Sequence, residues 1–388
     1  MEEKKIIIIC GESSGDLHAG NLAKALEELN PNIKIAGVGG VNLRQGGAEI
    51  YCDIKDLAVF GFFDVLKKLP KFFSLKKLIL QKINEEKPDA IIFVDFAGFN
   101  LRLAKEINNR IPTIYYISPQ VWASRAGRIR TIKKYIQKML VIFKFEEEFY
   151  KKCGINADFV GHPLLDIIKP TMAKNELLNN LKFSESKITI ALLPGSRKQE
   201  IENILPIMLK TAKLIRQELD AQFVIAKSRQ VGWELYNRRI KGFNLDIKIV
   251  EGKTYDCLNI ADFCLVCSGT ATIETAIMQK PFVIIYKMNI LNYLLYRPQV
   301  RVSYIGMVNI VAGKKIIPEF IQFGASAKKI SNEILKILKK TSEIERMKTE
   351  LAYVKSLLGE KSACQRAARI ILLMLSVHQL AGGQKRKT

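Results

Sequence analysis

Leu192–Ile201 reads LLPGSRKQEI. Ahead of it, Ile188-Thr189-Ile190-Ala191-Leu192 is a short β-branched run of the kind buried in a sheet. Pro194-Gly195-Ser196 is turn chemistry, and from Gln199 an apolar period of helical spacing begins. A strand that turns through Gly-Ser into a helix presents unpaired backbone N–H groups and a partial positive charge, which suits an anion. Arg197 stands in that turn, and a guanidinium grips phosphate oxygens in a two-pronged way that an ammonium cannot. Gly195, Ser196 and Arg197 therefore read as a diphosphate holder. The alternative is an ordinary strand-to-helix turn with a surface arginine.

The same grammar recurs along the chain. Lys5–Cys10 is a strand, followed by Gly11-Glu12-Ser13-Ser14-Gly15-Asp16 and a helix over Leu17–Leu29. This loop lacks the Lys of a P-loop and the spacing of a dinucleotide fingerprint. Glu12, Ser14, Gly15 and Asp16 are candidate substrate contacts, although Ser14 and Asp16 suit helix capping equally. Asp89–Val94 is a fully buried strand with Asp95 at its carboxyl end, and Asn100, a further candidate substrate contact, caps the helix that follows. Ligands of parallel α/β sheets gather outside the carboxyl ends of the strands, so Asp95 is placed to take a proton from a sugar hydroxyl. A turn or cap residue is the plainer reading.

Further strands over Thr113–Ile117, Lys138–Phe143 and Ala157–Val160 complete the first half. The first of these leads into Ser118-Pro119-Gln120-Val121-Trp122, with Ser118 a candidate substrate contact, and the last ends at Gly161-His162-Pro163-Leu164. His162 reads as an alternative base, a substrate hydrogen-bonder or a structural residue at a hinge. In the second half, Ser268-Gly269-Thr270-Ala271-Thr272-Ile273-Glu274 repeats the anion-turn logic, with Glu274 placed to accept the hydroxyls of a ribose. Lys287–Gln322 shows little periodicity and holds three further candidate contacts, Asn309, Glu319 and Gln322.

These units make an α/β chain of two Rossmann-like, doubly wound domains facing across a cleft. The expected division is 1–165, a linker over 166–187 and a second domain over 188–361, with a terminal helix over 362–380 joining the first domain. A length of 388 residues supports two full cores. The seven cysteines are odd in number and scattered, so no disulfide framework is expected. Cys264-Leu-Val-Cys267 lies in a strand-like run and reads as core. No pair among the three histidines has metal-ligand spacing, and no metal or other cofactor is expected.

The charged start MEEKK runs straight into a strand, which is not a secretory signal, and Ile370–Leu375 is too short to span a bilayer. The expected location is cytoplasmic. A net charge of +23, from 61 Lys and Arg against 38 Asp and Glu, favours an anionic partner. Leu57–Leu80 reads LAVFGFFDVLKKLPKFFSLKKLIL, in which aromatics and leucines alternate with lysines and only Asp64 is acidic. Such a stretch suits an anionic membrane surface, with Phe62, Phe63, Leu66, Leu69, Phe72 and Phe73 as the lipid-facing set. A helix packed on the sheet with solvated lysines is the alternative. A nucleic-acid platform is disfavoured, because no recognition motif or exposed aromatic–basic interleaving appears.

Phosphate-holding turns on one half and a carboxylate on the other form a layout for moving a sugar from a nucleotide diphosphate to an acceptor. The chain contains no Asp-x-Asp pair to hold a divalent ion. Charge on the leaving group then falls to Arg197, helix N-termini and backbone N–H groups. One base without a covalent partner implies a single displacement with inversion.

Eight blocks in order carry a resemblance: GESSGD (Gly11–Asp16), VDFAGFN (Val94–Asn100), YISPQVWA (Tyr116–Ala123), FVGHPL (Phe159–Leu164), LLPGSR (Leu192–Arg197), SGTATIE (Ser268–Glu274), YKMN (Tyr286–Asn289) and IPEFIQ (Ile317–Gln322). The chain resembles bacterial lipid-A-disaccharide synthases along nearly its whole length. The resemblance implies a GT-B glycosyltransferase, peripheral on the cytoplasmic face of the inner membrane. It would join UDP-2,3-diacylglucosamine to 2,3-diacylglucosamine 1-phosphate and release UDP and a β-1,6-linked disaccharide. It puts the base on Asp95, the diphosphate arginine on Arg197, the nucleotide-side glutamate on Glu274 and the membrane patch on the Leu57–Leu80 stretch. Its partners would be acylated sugars, an anionic membrane and, through segment exchange, a second copy. The chain departs from the family pattern at Ala97, Gly98 and Ser124, which bears on acceptor fit. A UDP-sugar epimerase, or a transferase with a soluble acceptor, remains the alternative on the same fold.

Overall fold

The β-branched runs form two separate parallel sheets. The first contains β1 (Lys4–Ile9), β2 (Ile33–Gly39), β3 (Glu49–Asp53), β4 (Ala90–Val94), β5 (Thr113–Tyr116), β6 (Lys138–Val141) and β7 (Ala157–Phe159), in the order β3-β2-β1-β4-β5-β6-β7. The second contains β8 (Ile188–Leu193), β9 (Ala221–Lys227), β10 (Ile247–Glu251), β11 (Phe263–Cys267), β12 (Phe282–Tyr286) and β13 (Glu319–Ile321), in the order β10-β9-β8-β11-β12-β13. This computed structural model describes residues 3–56, 62–243 and 245–384, with side chains at all of them except 62–69, 295, 296 and 378–384. Ile6–Ile9, Ala90–Val94 and Phe263–Cys267 are buried along their whole length, because helices cover both faces of a parallel sheet. Cys264 and Cys267 are part of that core, and burial pushes both thiols up.

Strand order reverses once in each sheet. The chain lays β2 and β3 on one side of β1, then crosses to β4 on the other; it does the same about β8, with β9 and β10 on one side and β11 on the other. The gaps β1/β4 and β8/β11 are therefore the two switch points, where the loops leaving adjacent strands diverge and leave room for a ligand.

Two compact units result: Met1–Asp166 with Leu358–Thr388, and Ile167–Leu357. Residues 166–187, expected as a linker, fold into the second unit from Ile167 onward. Leu177 and Leu178 are buried there, and the Asp256 carboxylate accepts Thr171 N (2.6 Å), Thr171 Oγ1 (2.7 Å) and Met172 N (2.8 Å). The return to the first unit comes before the terminal helix Ala363–Gln384, which packs on the helix Ser13–Leu29. Asp166 accepts the Ser362 and Ala363 amides at 2.7 and 3.2 Å, and Arg366 donates to the Val160 carbonyl at 2.9 Å. Strands β3 and β13 fell outside the sequence reading. The first is five half-exposed residues after a glycine pair, and the second has only three residues.

Candidate active site

In the first unit, Ile9 pairs with Phe93 across the switch point, so Gly11 and Asp95 lie two residues further on, each just past its strand. Asp95 and Phe96 both have φ of 49°, a left-handed backbone that costs a non-glycine residue about 1 to 2 kcal/mol. The turn is held at the Asp95 carbonyl. Asn100, fully buried, donates its Nδ2 there at 2.8 Å, and the Tyr115 hydroxyl donates to the same oxygen. The Gly11–Asp16 loop lies against this turn. A Cβ on Gly11 would stand 2.3 Å from the Phe96 ring, so only glycine fits; one on Gly15 would stand 3.8 Å from Asp95 Cβ. Phe96 stacks on Phe99 at 5.3 Å and meets Phe72 at 6.0 Å.

Glu12 and Ser14 are exposed at the start of the following helix. Asp16 is buried and spent on the fold: its carboxylate accepts Gly40 N (2.5 Å), Asn42 N (3.0 Å), Asn42 Nδ2 (2.8 Å) and Leu43 N (3.2 Å). That corrects the expectation of a substrate contact there. Asn100 likewise donates to the protein itself, at the Asp95 carbonyl. His162 is buried, its Nδ1 accepts Leu164 N at 3.2 Å, and its ring meets Phe143 (5.1 Å) and His18 (6.5 Å) edge-on. Burial, and secondarily His18, lowers its pKa to about 3, so the buried ring is neutral and a weak proton acceptor.

Ser118 also turns inward, donating to Glu146 Oε1 at 2.8 Å, where Trp122 Nε1 joins it at 3.0 Å. Glu146 escaped the sequence reading because it sits among three consecutive glutamates in a solvated-looking helix start. It is buried, its Oε2 has no hydrogen-bond partner, and desolvation raises its pKa to about 7. A concavity of about 410 Å³ beside Lys133, Gln137 and Asn156 opens at the amino ends of β6 and β7, the side of the sheet away from Asp95.

In the second unit, Leu193 pairs with Val266, so Gly195 and Ser268 lie two residues beyond that pair, just past the strands at the other switch point. Gly195 has φ of +114°, and a Cβ there would stand 2.3 Å from Glu200 Oε2. Glu200 closes the turn: its Oε2 accepts Ser196 N at 2.8 Å and Arg197 N at 3.1 Å, and its Oε1 lies 3.7 Å from Arg197 Nη1. The N–H groups read as an anion holder are thus occupied by an internal carboxylate, while the Arg197 side chain is exposed. Gly269 and Thr270 are exposed at the N-terminus of the helix Thr270–Ile277, and Ser268 is half-buried with its Oγ donating to Ile305 O at 3.4 Å. Glu274 accepts the Tyr255 hydroxyl at 3.0 Å, and burial raises its pKa.

The match to a family model decides what kind of protein carries these turns: residues 6–373 fit the model described as lipid-A-disaccharide synthetase. The chain belongs to that family. The lipid-A-disaccharide synthase of Syntrophus aciditrophicus is 40% identical over 379 residues, covering 97% of this chain and 99% of the relative. That of Geobacter sulfurreducens is 36% identical over 373 residues, covering 96% and 97%. Among solved structures, the calicheamicin glycosyltransferase CalG4 overlays with a TM-score of 0.61 at 13% identity, covering 97% of this chain and 99% of that one. The UDP-GlcNAc 2-epimerase of Neisseria meningitidis, bound to UDP-GlcNAc, gives 0.60 at 13%, covering 96% and 99%. The fold is that of GT-B glycosyltransferases, two Rossmann-like domains, and the chain is a glycosyltransferase of the lipid A family.

For this family member, three of the expected contacts belong to the scaffold. Asn309 is fully buried and binds Ile316 N, Ile317 N, Ile317 O and Glu319 Oε1; Glu319 also accepts Ile305 N (3.0 Å) and Gly306 N (2.9 Å). Gln322 is buried and clamps Met288 through both of its amide atoms. Of the six lipid-facing candidates, the side chains of Phe62, Phe63, Leu66 and Leu69 lie outside the described residues. Phe73 is 64% exposed, whereas Phe72 is half-buried against Phe96 and Phe99. Among the described residues, no helix is long and apolar enough to cross a membrane, and no three His, Cys, Asp or Glu side chains are grouped to hold a metal ion.

Proposed function

We propose that the chain transfers 2,3-diacylglucosamine from its UDP derivative to the 6-hydroxyl of 2,3-diacylglucosamine 1-phosphate, giving a β-1,6-linked disaccharide and UDP. The observation that carries this reading is the chemistry at the two switch points: an aspartate just past β4 at one, an exposed arginine and a Gly-Thr helix start at the other. Asp95 accepts the proton of the attacking hydroxyl while the anomeric carbon–oxygen bond to the diphosphate breaks. Without a covalent intermediate, the new bond forms on the opposite face, with inversion. Arg197 and the N–H groups at Gly269 and Thr270 take the charge gathering on the departing UDP, a role worth about 3 kcal/mol per well-aimed donor. No divalent ion is assigned to the diphosphate, since the chain has no Asp-x-Asp pair. Glu274 faces the nucleotide ribose.

Both substrates are lipids, so the reading places the enzyme on the cytoplasmic face of the inner membrane. The helix Phe62–Glu86 would be the contact, through exposed Phe73, Lys71 and Lys77. The test uses purified protein in mixed micelles with UDP-2,3-diacylglucosamine, with and without the monosaccharide phosphate, with product followed by mass. Disaccharide formation together with acceptor-dependent UDP release, both insensitive to EDTA, is the expected result. Interconversion of the UDP-sugar without acceptor would instead assign the epimerase chemistry of the Neisseria neighbour.

A further inference from the structure

The second unit carries an apolar surface that the proposed chemistry does not use. Eleven large hydrophobic side chains are exposed among the described residues, and five of them belong to one neighbourhood: Ile290 (48%), Leu291 (73%), Leu294 (62%), Val300 (36%) and Phe323 (73%). Ile290, Leu291 and Leu294 recur at helical spacing on the helix Ile290–Tyr296, so they share one side of it. The surface is built rather than frayed. Asn289 Oδ1 accepts Leu291 N at 2.9 Å, Gln322 holds Met288 through two hydrogen bonds, and the Tyr293 and Phe323 rings meet edge-on at 6.3 Å. A water-facing helix normally turns its polar side outward. This one does the reverse.

Charge decides what covers it. Between Glu274 and Glu319 the chain has six lysines and arginines and no carboxylate. Three of the six, Lys287, Arg297 and Arg301, flank the apolar side chains, and among the described residues no acidic side chain pairs with them. Two copies meeting through this face would bring like charges together. An anionic lipid surface satisfies both features, apolar side chains entering the acyl boundary and cations meeting phosphate head groups.

We infer that the Ile290–Tyr296 helix and Phe323 form a membrane contact on the second unit, separate from the helix Phe62–Glu86, whose occupant is an anionic bilayer surface. The inference does not rest on the transferase reading, since a bilayer contact needs neither substrate.

The test is sedimentation of the full-length protein with vesicles of about one part phosphatidylglycerol to three parts phosphatidylethanolamine, against phosphatidylcholine vesicles. Leu291→Ser/Leu294→Ser/Phe323→Ser is expected to lower partition into the anionic vesicles by about tenfold or more, with Tm and UDP affinity unchanged. Leu291→Gln alone, at the most exposed position, serves where the triple variant fails to fold. Arg297→Gln/Arg301→Gln is expected to weaken binding to the anionic vesicles only and to flatten its salt dependence. Unchanged partition of the folded serine variant overturns the inference. So does a loss of self-association by that variant with vesicle binding intact, which would assign the face to a second copy. A parallel Phe73→Ser variant reports on the first unit alone, so either contact can fail without the other.

Discussion

Glu200 Oε2 lies 2.8 Å from the Ser196 amide nitrogen and occupies the N–H donors at the start of the helix Lys198–Glu218. An internal carboxylate thus stands in the turn where a diphosphate oxygen is proposed to come, and its other oxygen lies 3.7 Å from Arg197. Two anions cannot share those donors. Glu200→Gln removes the competing charge and leaves Arg197 less neutralised, while weakening the helix start by about 1 kcal/mol. The expected outcome is several-fold tighter UDP binding by calorimetry with a lower Tm; weaker UDP binding would show that Glu200 orders the turn for the nucleotide instead.

Asp95→Asn keeps the size and hydrogen-bonding reach of the side chain and removes its basicity. Asn100 and Tyr115 hold the backbone turn at the Asp95 carbonyl, which asparagine retains. Turnover is expected to fall by about 10²- to 10⁴-fold while UDP affinity is unchanged. Retained turnover in the disaccharide assay removes Asp95 from the role of base.

Two Rossmann-like units were legible because parallel strands buried on both faces read as β-branched runs, and because glycine and serine mark the turns after β1, β8 and β11. Side-chain direction was not legible. Asp16, Asn100, Ser118, His162, Glu319 and Gln322 sit in matched blocks and Asn309 between two of them, yet each side chain turns into the protein and binds backbone or buried polar groups. A sequence shows that a polar residue lies near a site, but which way it points depends on long-range partners such as Glu146 for Ser118. That residues 167–187 belong to the second unit and are not a linker was hidden for the same reason, since Thr171 is tied down by Asp256, 85 residues away.

Phe72 and Phe73 are neighbours with opposite environments, and their variants should separate accordingly. Phe73 is exposed with Lys76 5.8 Å from its ring, so Phe73→Ser is expected to reduce vesicle partition with little change in Tm. Phe72 packs on Phe96 beside Asp95, so Phe72→Ser opens a gap there. It is expected to cost about 1 to 3 kcal/mol and to lower kcat with soluble detergent-dispersed substrates, where membrane binding plays no part. Equal partition losses in both variants would place Phe72 on the lipid side after all.

Glu146 and the two facing histidines give the pH profile of stability opposite slopes. Burial raises Glu146 from 4.5 to about 7, so its contribution is fully present below 4.5 and is lost as pH rises through about 7. Burial lowers His18 from 6.5 to about 4 and His162 to about 3, so their contribution is present above 6.5 and is lost as pH falls through those values. Hydrogen bonds from Trp122 and Ser118 favour the charged form and offset part of the desolvation, but burial is the larger effect. Glu146→Gln is expected to remove the fall in stability that this group causes between about pH 4.5 and 7, an effect on the order of 3 kcal/mol. His18→Leu should flatten only the acid side. A fall over pH 4.5 to 7 that is as steep in Glu146→Gln as in the parent would assign it to another group.

The two donors on the Asp95 carbonyl, Asn100 Nδ2 at 2.8 Å and the Tyr115 hydroxyl, hold consecutive left-handed residues that would otherwise relax. Tyr115 is fully buried and its removal to Phe leaves the ring, and its packing on Phe93 at 5.9 Å, in place. Only one hydrogen bond is lost, about 1 kcal/mol of stability, and Asn100 still binds the carbonyl. If the turn aims Asp95 at its proton, Tyr115→Phe lowers kcat by about tenfold or more with KM for the UDP-sugar unchanged, because a small misplacement of a reacting group costs far more in rate than in folding. Asn100→Ala, which removes the second donor, should lower kcat further. A Tyr115→Phe enzyme with a normal kcat and the expected small drop in Tm would make the hydroxyl a structural bond alone and leave Asp95 positioned by Asn100.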